Sequence, residues 1–333
     1  MGLRYPLLYL WLLLGWLPHA AAQNLASQPL PKRLSLLNDR AFLSFPAAAQ
    51  NMARPADIMA ADPNANRETR VVLDVGDSRL VFFAQEAYAL GDKALVTEVL
   101  ARENAKTGAK TTTLTDDGHL LSLLTTPANF DAQKPAILLS MLTVKTVDNT
   151  VFQVAAYLNP AGYPRRNEFS QLAERVFRTL AAGPRTVPLA AHSETVTIFG
   201  TTRKISFALP ANYSLTTDQK YDFQVIKVRA YAPFGSTSPG QLLVYVGHHP
   251  SLIYKQYDLT RDQLRQVPGT FLEQPVSWLT HADEARHIYL QEQLIAGEAL
   301  QPGLLLHVGS VASTPTGLAE LAKIAAAVKL LPQ

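Results

Sequence analysis

The chain contains no cysteine. That excludes a disulfide scaffold, a thiolate nucleophile, a cysteine-ligated zinc site and a lipidated cysteine anchor. Charge is sparse too: Asp, Glu, Lys and Arg make up 17% of the 333 residues, and the formal net charge is only +3. The short basic clusters Arg165-Arg166 and Pro31-Lys32-Arg33 read as solvated loop charge. Nucleic acid is therefore not an expected partner, because its binders concentrate lysine and arginine along one face to neutralise phosphates. Tryptophan is rare, and Trp11 and Trp16 both precede Gln23, leaving Trp278 for the rest of the chain. Apolar residues are abundant, at 47%, too many for a disordered chain, and the length leaves room for about two domains.

Met1–Ala22 has the layout of a secretory signal peptide. Arg4 supplies the positive start and Leu7 to Leu17 the apolar run. Pro18 breaks the run, and Ala20-Ala21-Ala22 offers small residues for cleavage before Gln23. The apolar run is shorter than the ~20 residues of a spanning helix, and no other stretch is apolar enough to span. The expected product is an exported protein, periplasmic or secreted, with no membrane span after cleavage. Residues 23–31 read as a flexible lead.

Beyond that lead the same order of elements occurs twice. The first instance opens with Leu34-Ser-Leu-Leu37, an Asn38-Asp39 turn and Ala41-Phe-Leu-Ser-Phe-Pro-Ala47. The second opens with Thr195-Val-Thr-Ile-Phe199, a turn at Gly200-Thr201-Thr202 and Ile205-Ser-Phe-Ala-Leu-Pro-Ala211. Each is an alternating strand, a turn signal and a second strand closed by proline, which cannot donate to a ladder. A hairpin of Arg70–Val75 with Arg79–Ala84 corresponds to Phe223–Tyr231 with Gln241–Val246, the latter pair joined by a Gly/Ser/Pro-rich loop at 233–240. Ile137–Val144 with Thr150–Leu158 corresponds to His287–Ile295 with Leu304–Val311. Asp92 to Asn104 looks helical, whereas its counterpart, Leu259 to Val267, is shorter.

Each instance ends in an amphipathic helix. In the first, Phe169, Leu172, Ala173, Val176, Phe177 and Leu180 recur at helical spacing, with Asn167 as N-cap and Gly183-Pro184 as the stop. In the second, Thr314 caps, Pro315 takes the first helical position and Pro332 ends the helix. Leu321, Ile324, Ala325 and Val328 form its buried stripe. The expected fold is α+β: two tandem repeats, each a twisted antiparallel β-sheet with a C-terminal helix packed on one face. The domains are expected at 32–184 and 193–333, joined by a linker at 185–192.

Phe42-Leu-Ser-Phe-Pro46 with the helix Phe169 to Leu180, and Phe207-Ala-Leu-Pro210 with the helix Pro315 to Leu331, resemble the Mog1/PsbP-like superfamily. The resemblance covers most of residues 32–333 as tandem copies. It implies binding and assembly modules more often than enzymes, and it carries no shared set of functional residues.

Motifs for chemistry are missing. Neither Gly235-Ser-Thr-Ser-Pro-Gly240 nor Val308-Gly-Ser-Val-Ala312 is a nucleophile elbow, and Ser-x-x-Lys, His-Glu-x-x-His and phosphate-binding glycine loops do not occur. Adjacent His248 and His249 would point to opposite faces of a strand. In His281-Ala-Asp-Glu-Ala-Arg-His287, a turn at Asp283–Ala285 would let His281 and His287 face each other, with Asp283 or Glu284 as an oxygen ligand. Exposed hairpin-tip polarity is the plainer reading, and no metal or cofactor is expected. Trp278, His281, His287 and Tyr245 are the candidate binding residues, although a core anchor is the plainer reading of Trp278 and a pocket or interface aromatic the alternative. The expected function is a non-enzymatic binding or assembly protein that engages a protein partner or envelope component. The alternative is a cryptic hydrolase with a carboxylate/His site in the second domain.

Overall fold

Turn chemistry decides where the chain reverses. Leu37, Asn38 and Asp39 all take positive φ, at 51°, 60° and 66°, and Asn and Asp tolerate this region best among residues with a side chain. The two-residue reversal after Val75 places Gly76 at φ 58°, where a residue without Cβ is at ease. A computed structural model describes residues 24–52, 68–131, 133–219, 222–297 and 303–332. The signal-peptide reading of residues 1–22 lies outside them.

The first half contains β1 (Lys32–Leu36), β2 (Ala41–Phe45), β3 (Gln50–Asn51), β4 (Glu68–Val75), β5 (Ser78–Leu90) and α1 (Lys93–Thr107). It continues with β6 (Lys110–Asp116), β7 (Leu121–Thr126), β8 (Ile137–Lys145), β9 (Thr150–Leu158), α2 (Arg166–Phe177) and β10 (Ala181–Ala182). The second half contains β11 (His192–Thr197), β12 (Lys204–Leu209), β13 (Tyr213–Gln219), β14 (Phe223–Ala230), β15 (Ala232–Pro233), β16 (Gly240–Gly247) and α3 (Ile253–Gln256). It closes with β17 (Arg265–Phe271), β18 (Gln274–Asp283), β19 (Ile288–Ala296), β20 (Leu305–Ala312), α4 (Pro315–Ala326) and β21 (Lys329–Leu330).

The chain is a mixed α+β protein with mostly antiparallel sheets. An eight-stranded sheet runs β3-β4-β5-β9-β8-β7-β6 and also takes β15 along β5, and a seven-stranded sheet runs β13-β14-β16-β20-β19-β18-β17. Two small sheets, β1-β2-β10 and β11-β12-β21, accompany them.

Each half has its own core. In the first, Phe169, Leu172, Val176 and Phe177 of α2 are fully buried together with Phe45 and Phe82. The Phe82 ring meets Phe45 and Phe177 edge-on, at 5.2 and 5.6 Å. Each such side chain contributes about 1.5–3 kcal/mol by leaving water. In the second, Leu321, Ile324 and Ala325 of α4, with Val328 just beyond it, pack with Phe207, Val244 and Val308.

Several sequence expectations are corrected at the ends of elements. The lead is not free: Leu25 is buried against the first core, and Arg175 of α2 donates to the carbonyls of Ala26 and Gln28 at 2.6 and 2.9 Å. Asn167 is not a cap but lies inside α2, which follows directly on a 3-10 turn over Pro160–Arg165. That helix ends at Phe177, and the chain enters β10 before reaching Gly183. Gly183 serves close approach instead, since a Cβ there would lie 1.9 Å from the carbonyl oxygen of Asp39. Thr314 does cap α4, accepting from the Gly317 amide at 3.0 Å, but the helix stops at Ala326, well before Pro332. Lys329 and Leu330 pair with Ser206 and Ile205 of β12, and a backbone hydrogen-bonded to a strand cannot stay helical.

The α4 packing predicts a contrast between neighbours. Ile324 is 2% exposed, so Ile324→Asp buries an unpaired carboxylate and should cost about 3–5 kcal/mol. Exposed Lys323 should tolerate the same change within about 0.5 kcal/mol. Urea midpoints of the two variants check this; equal midpoints would contradict the packing.

Candidate ligand cleft between the halves

The central strand β5 bends partway along its length. Its pairing with β9 slips between Glu86 and Ala89, so Ala87 and Tyr88 form a bulge, a device that re-aims side chains. Tyr88 is held at φ 50°, a costly conformation for an aromatic residue that persists only where its surroundings enforce it. They do so here: the Tyr231 ring lies 5.6 Å away and the guanidinium carbon of Arg229 stands 4.7 Å above the Tyr88 ring.

Just past the bulge the second half docks. Ala232 and Pro233 run parallel to Ala89 and Leu90, and the Phe234 amide donates to the Leu90 carbonyl at 2.7 Å. The Phe234 side chain enters a cluster with Val96, Val99 and Leu123 of the first half. Gly235 follows at φ 80°, and a Cβ there would lie 2.6 Å from a methyl of Val99. The Gly/Ser/Pro-rich stretch read as a loop is thus the joint between the halves.

An open cleft of about 690 Å³ lies along this joint. Gln85 and Gln153, cross-strand neighbours on β5 and β9, line one wall. Arg229 and Gln241, cross-strand neighbours on β14 and β16, line the other, and Arg229 Nε donates to Gln241 Oε1 at 3.2 Å. Glu86 also borders the cleft, yet its carboxylate is buried and ion-paired with Arg40. Arg40 reaches on to the hydroxyls of Thr146, at 3.2 Å, and Thr150. Those hydroxyls donate to Asp148, at 2.5 and 2.6 Å, and Asp148 also accepts from the Val187 amide at 2.9 Å. Burial would raise the Asp148 pKa, but the hydrogen bonds from Thr146, Thr150 and Val187 outweigh it and hold the group below its ordinary value. The network ties the β1–β2 turn and the residues after α2 to the large sheet.

A second buried network belongs to the other half. His307 Nε2 lies 2.5 Å from Glu292 Oε2, and both side chains are 1% exposed. The same carboxylate accepts the Ile253 and Tyr254 amides, each at 2.8 Å, which supplies partners for the N-terminus of α3. Gly309 lets α3 come this close, since a Cβ there would lie 2.2 Å from Ile253 Cδ1.

The four sequence candidates are scattered. Trp278 is buried in the second core, with its indole where a Cβ on Gly269 would otherwise stand. Tyr245 is half-buried, stacked on Phe223 at 5.4 Å, and its hydroxyl accepts the His249 amide at 3.2 Å. The expected hairpin exists, yet His281 pairs with Leu290 across the strands and its ring contacts the Gln263 carbonyl at 3.2 Å. His287 sits in the turn, at φ 51°. The two histidines therefore do not face each other, and Asp283 stays on β18, where it accepts the Arg286 amide. Among the described residues no cluster of three metal-ligating side chains forms. His248 and His249 lie beyond the end of β16 rather than on a strand. Of the four, His287 alone reaches the cleft. Sequence reading missed Tyr88, Arg229 and the glutamines, whose one local signal is the polar interruption Gln85-Glu86 in an otherwise apolar strand.

No protein-family model matches the chain, and no curated protein or solved structure does either.

The Glu292 network predicts an acid response. Burial would raise this carboxyl; the hydrogen bonds from His307, Tyr254 and Ile253 outweigh it, leaving the pKa below the ordinary 4.5. A group depressed by folding stabilises the native state above its unfolded value, and that contribution is lost as pH falls through the native value. Stability should thus decline below about pH 4.5, partly through this group. In urea melts from pH 7 to 3, Glu292→Gln should show a smaller acid-side loss than the wild type. Glu292→Ala at neutral pH should cost about 3–5 kcal/mol, because it strands the buried partners. Parallel pH profiles for wild type and Glu292→Gln would refute the assignment.

Proposed function

We propose that this is an exported, non-enzymatic binding protein of two Mog1/PsbP-like α+β units, and that it engages a protein partner or envelope component through the cleft between them. The observation that carries the reading is the cleft itself, where a strained tyrosine, an arginine and uncharged polar groups from both halves converge while remaining open to solvent. The groups suited to acid–base work are occupied elsewhere. Glu292 and His307 form the carboxylate/His pair that a hydrolase in the second half would need, but they are sealed from substrate and engaged in holding α3. Glu86 is neutralised by Arg40.

The strand orders favour two copies of one unit. One large sheet runs β3-β4-β5-β9-β8-β7-β6 and the other β13-β14-β16-β20-β19-β18-β17. Each is followed by a helix and a short strand that returns to the second strand of its half, β10 on β2 and β21 on β12. In this reading the fragments 32–186 and 190–333 each own a core and a closing helix. Each should unfold cooperatively in urea; failure of both, beside a folded full chain, would contradict the two-unit reading.

The binding reading is tested by a photocrosslinking amino acid placed at Gln85 in the cleft or at Lys323 on α4, with the mature chain exposed to its native envelope fraction. A discrete adduct from the Gln85 position and none from Lys323 is expected. Equal labelling from both, or none from the cleft, would count against it.

A further inference from the structure

Arg229 is the one formal cation among the described residues that line the cleft. The only carboxylate among the described lining residues, Glu86, is already paired with Arg40, so the Arg229 charge faces no described counterion in the cleft. Its guanidinium is also pre-organised. Its central carbon stands over the Tyr88 ring, and Nε is spent on Gln241. No described protein group takes the two Nη nitrogens, which leaves their fork for a planar anion. Restricting the guanidinium beforehand lowers the ordering cost of capture.

The remainder of the lining narrows the anion. A phosphate monoester carries about −1.5 to −2 charge at neutral pH, more than one guanidinium balances, and among the described residues no second Lys or Arg lines the site. A carboxylate matches the single charge. Gln85, Gln153 and Gln241 offer carboxamides, each both donor and acceptor, and so complement peptide groups. Ala87, Ile288 and Val311 provide small apolar contacts. A volume of about 690 Å³ falls in the range of small-ligand sites and suits a chain end rather than a folded surface. We infer that the cleft captures the carboxy-terminal end of a short peptide segment with small neutral side chains, its carboxylate seated on Arg229; this rests on the cleft being the binding surface. End-carboxylate capture is an established mode of peptide recognition.

The test uses the full mature chain and a pool of N-acetyl tripeptides with Ala, Val, Leu or Ser at each position, prepared as free acids and separately as C-terminal amides. Sodium acetate serves as the minimal anion. Binding is read from perturbed side-chain amide resonances of the cleft glutamines and from the Arg229 Nε–H. The free acids should bind at least tenfold more tightly than the amides. Arg229→Gln should erase that preference, Arg229→Lys should keep part of it, and Lys323→Gln should leave it unchanged. Equal binding of acids and amides, or an acid preference that survives Arg229→Gln, would overturn the inference. Acetate binding as tightly as the peptides would overturn the peptide assignment, as would no binding by either pool. A photocrosslinked adduct at Gln85 alongside silent peptide pools would sink this inference while leaving the binding reading standing.

Discussion

The bend in β5 is the constraint on which the rest of the molecule turns. Up to Glu86 the strand is an ordinary member of the large sheet, with Leu80, Phe82 and Ala84 facing the core. After the bulge, Ala89 and Leu90 return to the ladder and present a second edge to β15 of the other half. Between them Tyr88 is forced into a left-handed conformation and out over the joint. One irregularity thus projects an aromatic ring and lies at the place where the halves meet. Strict alternation buries Leu80, Phe82, Ala84 and Glu86 on one face, and only the bulge after them breaks it.

Buried charge is handled the same way in both halves. Glu86 is neutralised by Arg40, whose second terminal nitrogen meets the Thr146 and Thr150 hydroxyls, and those hydroxyls serve Asp148. Glu292 is met by His307 and by two backbone amides at the start of α3. A buried carboxylate without such partners would be severely penalised. Its partners here are backbone and side-chain groups of neighbouring segments, so each network acts as a clamp: one on the β1–β2 turn and Val187, the other on α3. Residues that could resemble an acid–base pair are in these places held in structural hydrogen bonds.

The cleft differs from the clamps in what it leaves unfinished. Arg229 is positioned by Tyr88 and Gln241 but not neutralised. The surrounding glutamines and serines are polar without being charged, and small apolar groups lie among them. Such a surface favours specificity through one oriented ionic contact over affinity through accumulated charge, in keeping with a chain whose net charge is only +3.

Much of the architecture was legible because it depends on local rules. Alternation in Arg70–Ala84 and Phe223–Val246, the Asn38-Asp39 turn, the helical spacing from Phe169 to Phe177 and the Thr314-Pro315 start all express preferences that act over a few residues. Element ends were less legible where a distant strand competed for the backbone, as β12 does for Lys329 and Leu330. Strands such as β6 and β17 escaped because their exposed edge positions lack an apolar rhythm. The cleft was hidden for a stronger reason. Tyr88 and Arg229 lie far apart in the chain, each within an ordinary strand context, and Phe234 reads as part of a loop. Sequence by itself determined the strands and helices with a clear apolar rhythm, since φ/ψ preference and side-chain period act locally. Only the tertiary structure decided that a bulge would meet a docking loop and leave one arginine unbalanced between them, because such a site is made of distances between residues that no local preference relates.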